Sequence, residues 1–234
     1  MAEERFRILC VGAHPDDIEF GCAGSVPIWL QQGAQVSYLI VTDGSTGTHD
    51  AKLFGPELAA IRRQESLRAG AIAGVETVLF LDYPDGSVEP TLALRKDIAR
   101  VYRRIRPHRL VTGSPDSILG GWRINHPDHK AVGQACLDVV VTAGSTPGHF
   151  PGLLEEGFQA WQGLREIYVM GPAIGPIPVD VSSTIDVKVE ALRAHASQTG
   201  MWDIESVVKS AAAAEGAVHG FTYAESFHRL GIRA

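Results

Sequence analysis

The sequence predicts an α/β fold: a Rossmann-like, mostly parallel sheet with helices on both faces, in a single domain spanning residues 1–234. Two observations predict it. Short continuous apolar runs, typical of strands buried on both faces of a parallel sheet, alternate with segments of helical period. Polar, glycine-rich loops follow several runs, so the active site is expected at the C-terminal ends of the strands.

The first half of the chain shows this alternation clearly. Residues 6–12 (FRILCVG) pass from charge into an apolar strand, and a helical pattern over 20–32 stops at Gly33. The same order then repeats. It predicts strands at 35–42, 77–81 and 109–112, and helices at 56–73 and 92–106.

The second half is less regular. It predicts helices at 130–142, 186–197 and 204–218, and strands at 166–170 and 177–181. Residues 143–163 are rich in Gly and Pro, so we expect a surface segment that forms a mobile wall of the pocket. Its apolar part, 150–158, is alternatively a contact surface for a homo-oligomer.

Composition and charge exclude several classes of protein. Of the 234 residues, 45% are hydrophobic and 21% charged, the profile of a packed globular protein. The formal net charge of -6 argues against nucleic acid as a partner. No apolar run approaches the ~20 residues of a membrane span, and no signal-peptide pattern precedes the first strand. We therefore expect a cytoplasmic protein, whose three separated cysteines are buried apolar residues.

Two clusters of polar side chains follow strands of the predicted sheet. In AHPDD, His14, Asp16 and Asp17 come directly after the first strand; in NHPDH, His126 and His129 stand where a loop enters a helix. Imidazole and carboxylate are zinc ligands, and a catalytic zinc site needs three of them plus an open position. Each cluster alone also fits a turn with a helix cap. Because both follow strands of one parallel sheet, together they favour a metal or catalytic site.

The motifs AHPDD and HPDH, in this order, resemble the PIG-L/LmbE-like family. Its members include N-acetylglucosaminyl-phosphatidylinositol deacetylases and the deacetylases of mycothiol and bacillithiol synthesis. The resemblance extends through TDGSTGT, LDYPDG and KVEALRAHASQ, the last at residues 188–198. It implies a zinc-dependent hydrolase that removes an acetyl group from the amide nitrogen of an N-acetylglucosamine-type conjugate, a small sugar-amide substrate. Zn²⁺ is the implied cofactor, and the same ligands also accept Fe²⁺.

The resemblance also implies roles for individual residues. The implied zinc ligands are His14, Asp17 and His129. Asp16 is implied to be the general base, acting on a water molecule whose pKa zinc lowers. His126 is implied to stabilise the oxyanion in its protonated form, with Asp128 orienting it and raising its pKa.

Three further residues are candidate substrate contacts. The resemblance implies that Arg62 lines the pocket; the alternative is a surface salt bridge to Glu65. Asp43, at the end of the second strand, bonds pocket groups or caps its loop, and Asp85 is equally ambiguous. Arg123, near the expected mouth, offers a cation to a sugar or an anion.

Two positions qualify the resemblance. Some members carry a tyrosine two residues before the first histidine of HPDH, where this chain has Ile124, so another group must supply that donor. His195, Ser197 and Gln198 fit a structural role, a pocket rim or a plain helix end.

Two other functions fit parts of the pattern. The same metal site can act on a non-sugar N-acyl substrate, because the motifs determine the reaction and not the substrate. A Rossmann-type nucleotide-binding module would explain the first strand and its glycines. However, G-x-G-x-x-G is absent after that strand, and AHPDD puts carboxylates where a pyrophosphate would bind.

Overall fold

The computed structural model of the protein describes residues 5–50, 52–119, 123–170 and 177–232. The strands are β1 (Arg7–Gly12), β2 (Gln35–Thr42), β3 (Thr77–Tyr83), β4 (Arg109–Gly113), β5 (Ile118–Leu119), β6 (Arg123–Ile124), β7 (Glu166–Met170), β8 (Ile177–Asp180) and β9 (Ala224–Gly231). The helices are α1 (Asp17–Cys22), α2 (Ser25–Gln31), α3 (Pro56–Ala73), α4 (Leu92–Ile105), α5 (Pro127–Val141), α6 (Gly152–Glu155), α7 (Ile185–Arg193), α8 (Ala196–Thr199) and α9 (Ile204–His219).

Within the described residues, the main sheet has seven strands in the order β3-β2-β1-β4-β7-β9-β8. Neighbours from β3 to β7 pair in parallel, whereas β9 is antiparallel to both β7 and β8. The predicted α/β fold with a mostly parallel sheet is confirmed. Because the chain order reverses between β1 and β4, a crevice opens at their C-terminal ends, where ligands bind in such sheets.

Alternate residues of β1 face two separate cores. Leu9 and Val11 belong to a buried cluster that contains the apolar faces of α4 and α5. Ile8 and Cys10 belong to a second cluster on the opposite face, together with α1 and α2. Helices therefore cover both faces of the sheet, as predicted. No helix in the described part of the chain is both long and apolar enough to cross a membrane.

Two predicted helices are divided in the structure. The segment 20–32 forms α1 and α2, because the backbone N–H groups of Gly24 and Ser25 donate to the carboxylate of Glu225 at 3.0 and 2.8 Å and begin a new helix. The segment 186–197 likewise forms α7 and α8, which are separated at Ala194 and His195.

Strand β9 was not predicted from the sequence. It carries a charged residue near its start, Glu225, and an alternation of polar and apolar residues is absent. Glu225 is nevertheless buried, because Lys188 donates to it at 2.6 Å and the start of α2 supplies further N–H donors. Partners so distant in sequence leave no local signal, which explains the omission.

Residues 143–163 do not form the expected pocket wall. The guanidinium of Arg103, at the end of α4, donates to the carbonyl oxygens of Ala143, Thr146, His149 and Phe158. Trp161 donates to Pro107 O at 2.6 Å, directly before β4 begins. The segment thus lies at the N-terminal edge of the sheet, opposite the crevice. Its Leu153 is fully buried, so 150–158 lends no support to the expected homo-oligomer.

Candidate metal centre

The residues of the two histidine motifs meet at the crevice between β1 and β4. His14 follows β1 by two residues, and Asp17 begins α1. On the other side, His126 is the N-cap of α5 and His129 lies in its first turn. Two loops of one parallel sheet thus bring these side chains together, as the sequence predicts.

Three side-chain groups converge closely enough to share one ion. Nδ1 of His14 lies 3.1 Å from Nε2 of His129 and 3.5 Å from Oδ2 of Asp17. Nε2 of His129 lies 3.0 Å from Oδ1 of Asp17. Tetrahedral zinc with bonds of about 2.0–2.1 Å separates its ligand atoms by about 3.3 Å. The spacing of the His14 and His129 nitrogens therefore fits a zinc ion, with Oδ2 of Asp17 beside His14 and Oδ1 beside His129. A ring nitrogen of His126 also lies within 4.8 Å of ring nitrogens of both histidines.

The second nitrogen of each histidine faces an oxygen. Nδ1 of His129 is 3.1 Å from Oδ1 of Asn125, whose amide nitrogen donates to Ser114 O and Asp116 O and so fixes the orientation of the amide. Nε2 of His14 is 3.1 Å from Asp85 and 3.3 Å from Asp128. In the neutral ring these nitrogens are the ones placed to carry the proton, which would leave the two facing nitrogens as ligands for a metal ion. Carboxylate and amide oxygens behind the ligand imidazoles are the usual outer support of a metal site.

The acidic side chains around His14 favour a positive charge at this position. Burial alone lowers the pKa of His14, but hydrogen bonds to Asp128, Asp17 and Asp85 raise it to about 12. In the absence of a cation, a proton therefore occupies the imidazole. Metal binding displaces such protons, because the ligand must be neutral imidazole. The donor set, its spacing and its charge all fit a divalent cation.

Asp128 contacts a different histidine from the one expected. Its carboxylate is fully buried, accepts the N–H groups of Gly86 at 2.7 Å and Val88 at 3.1 Å, and faces Nε2 of His14. Its backbone N–H, rather than its carboxylate, donates to Nδ1 of His126. The predicted orientation of His126 by the Asp128 carboxylate is therefore wrong, since packing of the β3–α4 loop turns that group toward His14.

Without a metal ion, the surroundings of His126 do not favour the protonated form that was expected. Burial and the charge of His14 lower its pKa, which outweighs the opposing effect of Asp128. Because Nδ1 accepts a backbone N–H, the neutral ring carries its proton on Nε2. The ring stands edge-on to His14, with centroids 4.7 Å apart, and is exposed to the crevice. His126 thus offers a neutral N–H donor.

Asp16 lies beside the three converging groups. The φ of Asp16 is 110°, so its backbone is not helical although the helix α1 begins at the next residue, Asp17. Burial raises the pKa of Asp16 to about 6, against the lowering effect of Arg62, whose Nη2 is 3.4 Å from Oδ2. A carboxylate with this pKa is ionised at neutral pH and a stronger base than an ordinary aspartate.

Arg62 is buried beside Asp16 and does not form the surface salt bridge that was the alternative prediction. It is 3% exposed and donates to the carbonyl oxygens of Pro15 at 2.6 Å and Gly44 at 3.1 Å. The alternative surface salt bridge to Glu65 is not formed among the described residues, because the side chain points inward beneath the loops after β1 and β2. Nη2 of Arg62 lies 3.4 Å from Oδ2 of Asp16, and the role of Arg62 as a substrate contact stays a prediction. Arg62 holds those loops together.

The remaining candidates divide between loop support and the crevice mouth. Oδ1 of Asp43 accepts the N–H groups of Ser45 at 3.0 Å and Asp85 at 3.3 Å, so Asp43 caps its loop. Arg123 is exposed on the β5–β6 hairpin, where it stays a candidate substrate contact. Ile124 is 85% exposed and supplies no donor in place of the tyrosine.

Sequence reasoning left two supporting residues unassigned. Asp85 was ambiguous, although its position after β3 places it at the same sheet edge as the two motifs. Asn125 stands four residues before His129, a spacing that brings side chains together on a helical turn. Both signals were present in the sequence, but many Asp and Asn residues at loop ends only cap their loops.

Comparisons with known proteins agree on one family. The profile of the family described as PIG-L, GlcNAc-PI de-N-acetylase, matches residues 9–140. The diacetylchitobiose deacetylase of Thermococcus kodakarensis is 32% identical over 225 residues, covering 94% of this chain and 81% of that protein. The 1D-myo-inositol 2-acetamido-2-deoxy-alpha-D-glucopyranoside deacetylase of Kineococcus radiotolerans is 28% identical, covering 86% and 71%. The solved structure of N,N'-diacetylchitobiose deacetylase from Pyrococcus horikoshii has a TM-score of 0.88 at 28% identity, covering 96% and 84%.

Proposed function

The chain belongs to the PIG-L family, as its two histidine motifs predict, and on that premise we propose that it is a zinc-dependent N-deacetylase. The substrate is an N-acetylglucosamine-type conjugate, whose acetamide is hydrolysed to acetate and a free amine. One observation carries the proposal: the facing atoms of His14, Asp17 and His129 lie 3.0–3.5 Å apart, each imidazole being backed by an oxygen acceptor.

The protein's own residues supply the remaining chemistry. When bound, the metal acts as a Lewis acid toward the amide carbonyl and lowers the pKa of the attacking water. Asp16 accepts a proton from that water as its oxygen bonds to the carbonyl carbon. Nε2–H of His126 donates to the carbonyl oxygen as negative charge develops there. The proton held by Asp16 then passes to the leaving nitrogen as the C–N bond breaks.

Asp16→Asn tests the base. The substitution keeps the side-chain shape and removes its basicity, so we expect turnover to fall by about 10²–10⁴-fold while zinc content stays near one ion per chain. The control is Asp50→Asn, an exposed aspartate on the loop after β2. Turnover within tenfold of the native chain would show that Asp16 is not the base.

Metal content and a substrate panel test the rest. His129→Ala should lose most bound zinc, measured after dialysis; unchanged content would refute the ligand. The panel contains N-acetylglucosamine, its β-linked dimer, its inositol conjugate and N-acylated amino acids, with released acetate as the readout. Acetate from amino acid substrates alone would support the non-sugar alternative. Replacing zinc by Fe²⁺ under anaerobic conditions compares the two candidate cofactors.

Location and assembly belong to the same proposal. A cytoplasmic location and a homo-oligomer are both expected from the sequence, the latter without the support of residues 150–158. Size-exclusion chromatography of the purified chain with light scattering determines its oligomeric state.

A further inference from the structure

The turn that carries Asp16 and Asp17 needs support from its surroundings. Asp16 has a φ of 110°, which L-residues rarely adopt, and no side chain caps the helix that begins at Asp17. Strained backbone of this kind persists where neighbouring contacts hold it. The relative position of the proposed base and the proposed ligand therefore depends on whatever holds α1.

Glu19 joins this turn to a distant part of the chain. It lies two residues after Asp17, on the side of α1 that faces the interior, and is 1% exposed. Its Oε2 lies 3.3 Å from Nε2 of His195, which is 0% exposed and stands between α7 and α8. The proposed chemistry uses neither side chain.

Residues 195–198 also contact the other elements around the turn. Ser197 donates its backbone N–H and its hydroxyl to Glu65 on α3, at 2.8 and 2.6 Å. Gln198 donates to Gly47 O at 2.9 Å, in the loop after β2. One short segment thus contacts α1, α3 and the β2 loop. Among these contacts, the one from His195 reaches the helix that carries the proposed ligand.

Packing alone does not explain a charged pair at this position. The buried alanines Ala23, Ala69 and Ala191 already bring α1, α3 and α7 together. Within the described part of the chain, both carboxylate oxygens of Glu19 and both ring nitrogens of His195 are buried without a hydrogen bond, so their 3.3 Å approach is a contact of opposite charges when His195 is protonated. A buried pair of this kind is often no more stabilising than apolar residues of similar volume. Stability alone therefore does not account for the His195–Glu19 pair, which leaves the placement of α1 as its role.

We infer that His195 and Glu19 are positioning residues: their contact holds α1 so that Asp16 and Asp17 keep their places relative to the metal. The inference rests on the proposed function, but it also makes a claim about metal binding that is independent of turnover. Neither residue is a proposed metal ligand or takes part in the proposed chemistry.

The test compares two His–Glu pairs. His195→Leu breaks the buried pair, and His219→Leu breaks a more exposed His–Glu pair with Glu215 within α9, 3.4 Å long, as a control for the loss of a histidine. For His195→Leu we expect kcat to fall at least tenfold with KM within twofold, and zinc affinity, measured by competition with a chelating dye, to fall about tenfold. His219→Leu should change neither. His195→Gln, which retains an N–H for Glu19, should recover most of both.

Each outcome decides the inference. Native kcat and zinc affinity per folded molecule in His195→Leu, even with a lowered Tm, would show a purely structural pair and overturn it. A rise in KM alone would also overturn it. If His195→Leu does not fold, Glu19→Gln carries the same expectations. If the native chain releases acetate from no substrate, the proposed function fails, and zinc affinity still decides the positioning role.

Discussion

Asp128→Asn keeps the shape of a fully buried side chain and replaces one of its acceptors by a donor. In the native chain, Oδ1 accepts the N–H of Val88 at 3.1 Å. Oδ2 lies 2.7 Å from the Gly86 nitrogen and 3.3 Å from Nε2 of His14. The asparagine NH₂ must take one of these positions. It then faces either Val88 N–H alone, or Gly86 N–H together with the proton of His14.

The orientation that leaves fewer N–H groups without an acceptor gives the smallest loss of unfolding free energy that the substitution can cause. One buried N–H without an acceptor costs about 1–3 kcal/mol of unfolding free energy. Asp128 is 0% exposed, so water does not replace the lost acceptor. Loss of the carboxylate charge behind His14 should also weaken zinc binding about 10–100-fold, as for other supporting groups of metal-bound histidines. That factor equals about 1.4–2.7 kcal/mol.

Two measurements separate these effects. Urea unfolding of the metal-free chain gives the stability change, and dye competition gives the zinc affinity. Asp138→Asn is the control, because Asp138 lies on the same helix, α5, with its side chain 21% exposed and paired to Arg95. A destabilised Asp128→Asn chain with native zinc affinity would refute the reasoning that Asp128 orients His14 for the metal.

Two further predictions concern stability away from the crevice. Arg103→Met removes the donor shared by four carbonyl oxygens of residues 143–158. The free energy of unfolding should fall by about 3 kcal/mol, while kcat stays at its native value. A lowered kcat would contradict the placement of that segment at the edge of the sheet opposite the crevice. Glu225→Gln removes the charge that faces Lys188 at 2.6 Å and should cost about 3–5 kcal/mol, as for other broken buried pairs. Urea unfolding checks both, and a loss below 1 kcal/mol for Glu225→Gln would indicate that Lys188 is not buried as a cation.

The sequence predicts which residues gather at the proposed metal centre because these residues follow local rules. His14 stands just past the buried strand β1, and His129 lies at the start of the helix that follows the loop after β4. The C-terminal ends of parallel strands meet at one edge of the sheet. Local rules do not predict where a side chain points when its hydrogen-bonding partners belong to another helix, strand or loop. Asp128 turns to His14 because two N–H groups of the β3–α4 loop hold it there. Arg62 points inward for an equivalent reason, since its acceptors are carbonyl oxygens of two loops.

The same distinction applies to the strands. Apolar runs such as residues 35–42 are visible in sequence because burial on both faces requires them. Strand β9 is not visible in the sequence, because it carries charged residues whose partners are distant in the chain. Glu225 pairs with Lys188, and Arg229 pairs with Glu166. Long-range charge pairing is therefore the main information that pattern analysis omits in this chain.

The insertion of β9 between β7 and β8 has a consequence for how the protein is made. In the described part of the sheet, β8 pairs with β9 alone. During synthesis, the strands from β1 to β7 emerge in an order that lets them pair while the ribosome is still translating. Strand β8 emerges more than 40 residues before β9 and has no hydrogen-bonding neighbour in the sheet until β9 is made. Lys188 on α7 likewise has no Glu225 to pair with until then. The turn that carries Asp16 and Asp17 can thus form on the nascent chain, whereas the α7 side of the molecule packs fully only after β9 has left the ribosome.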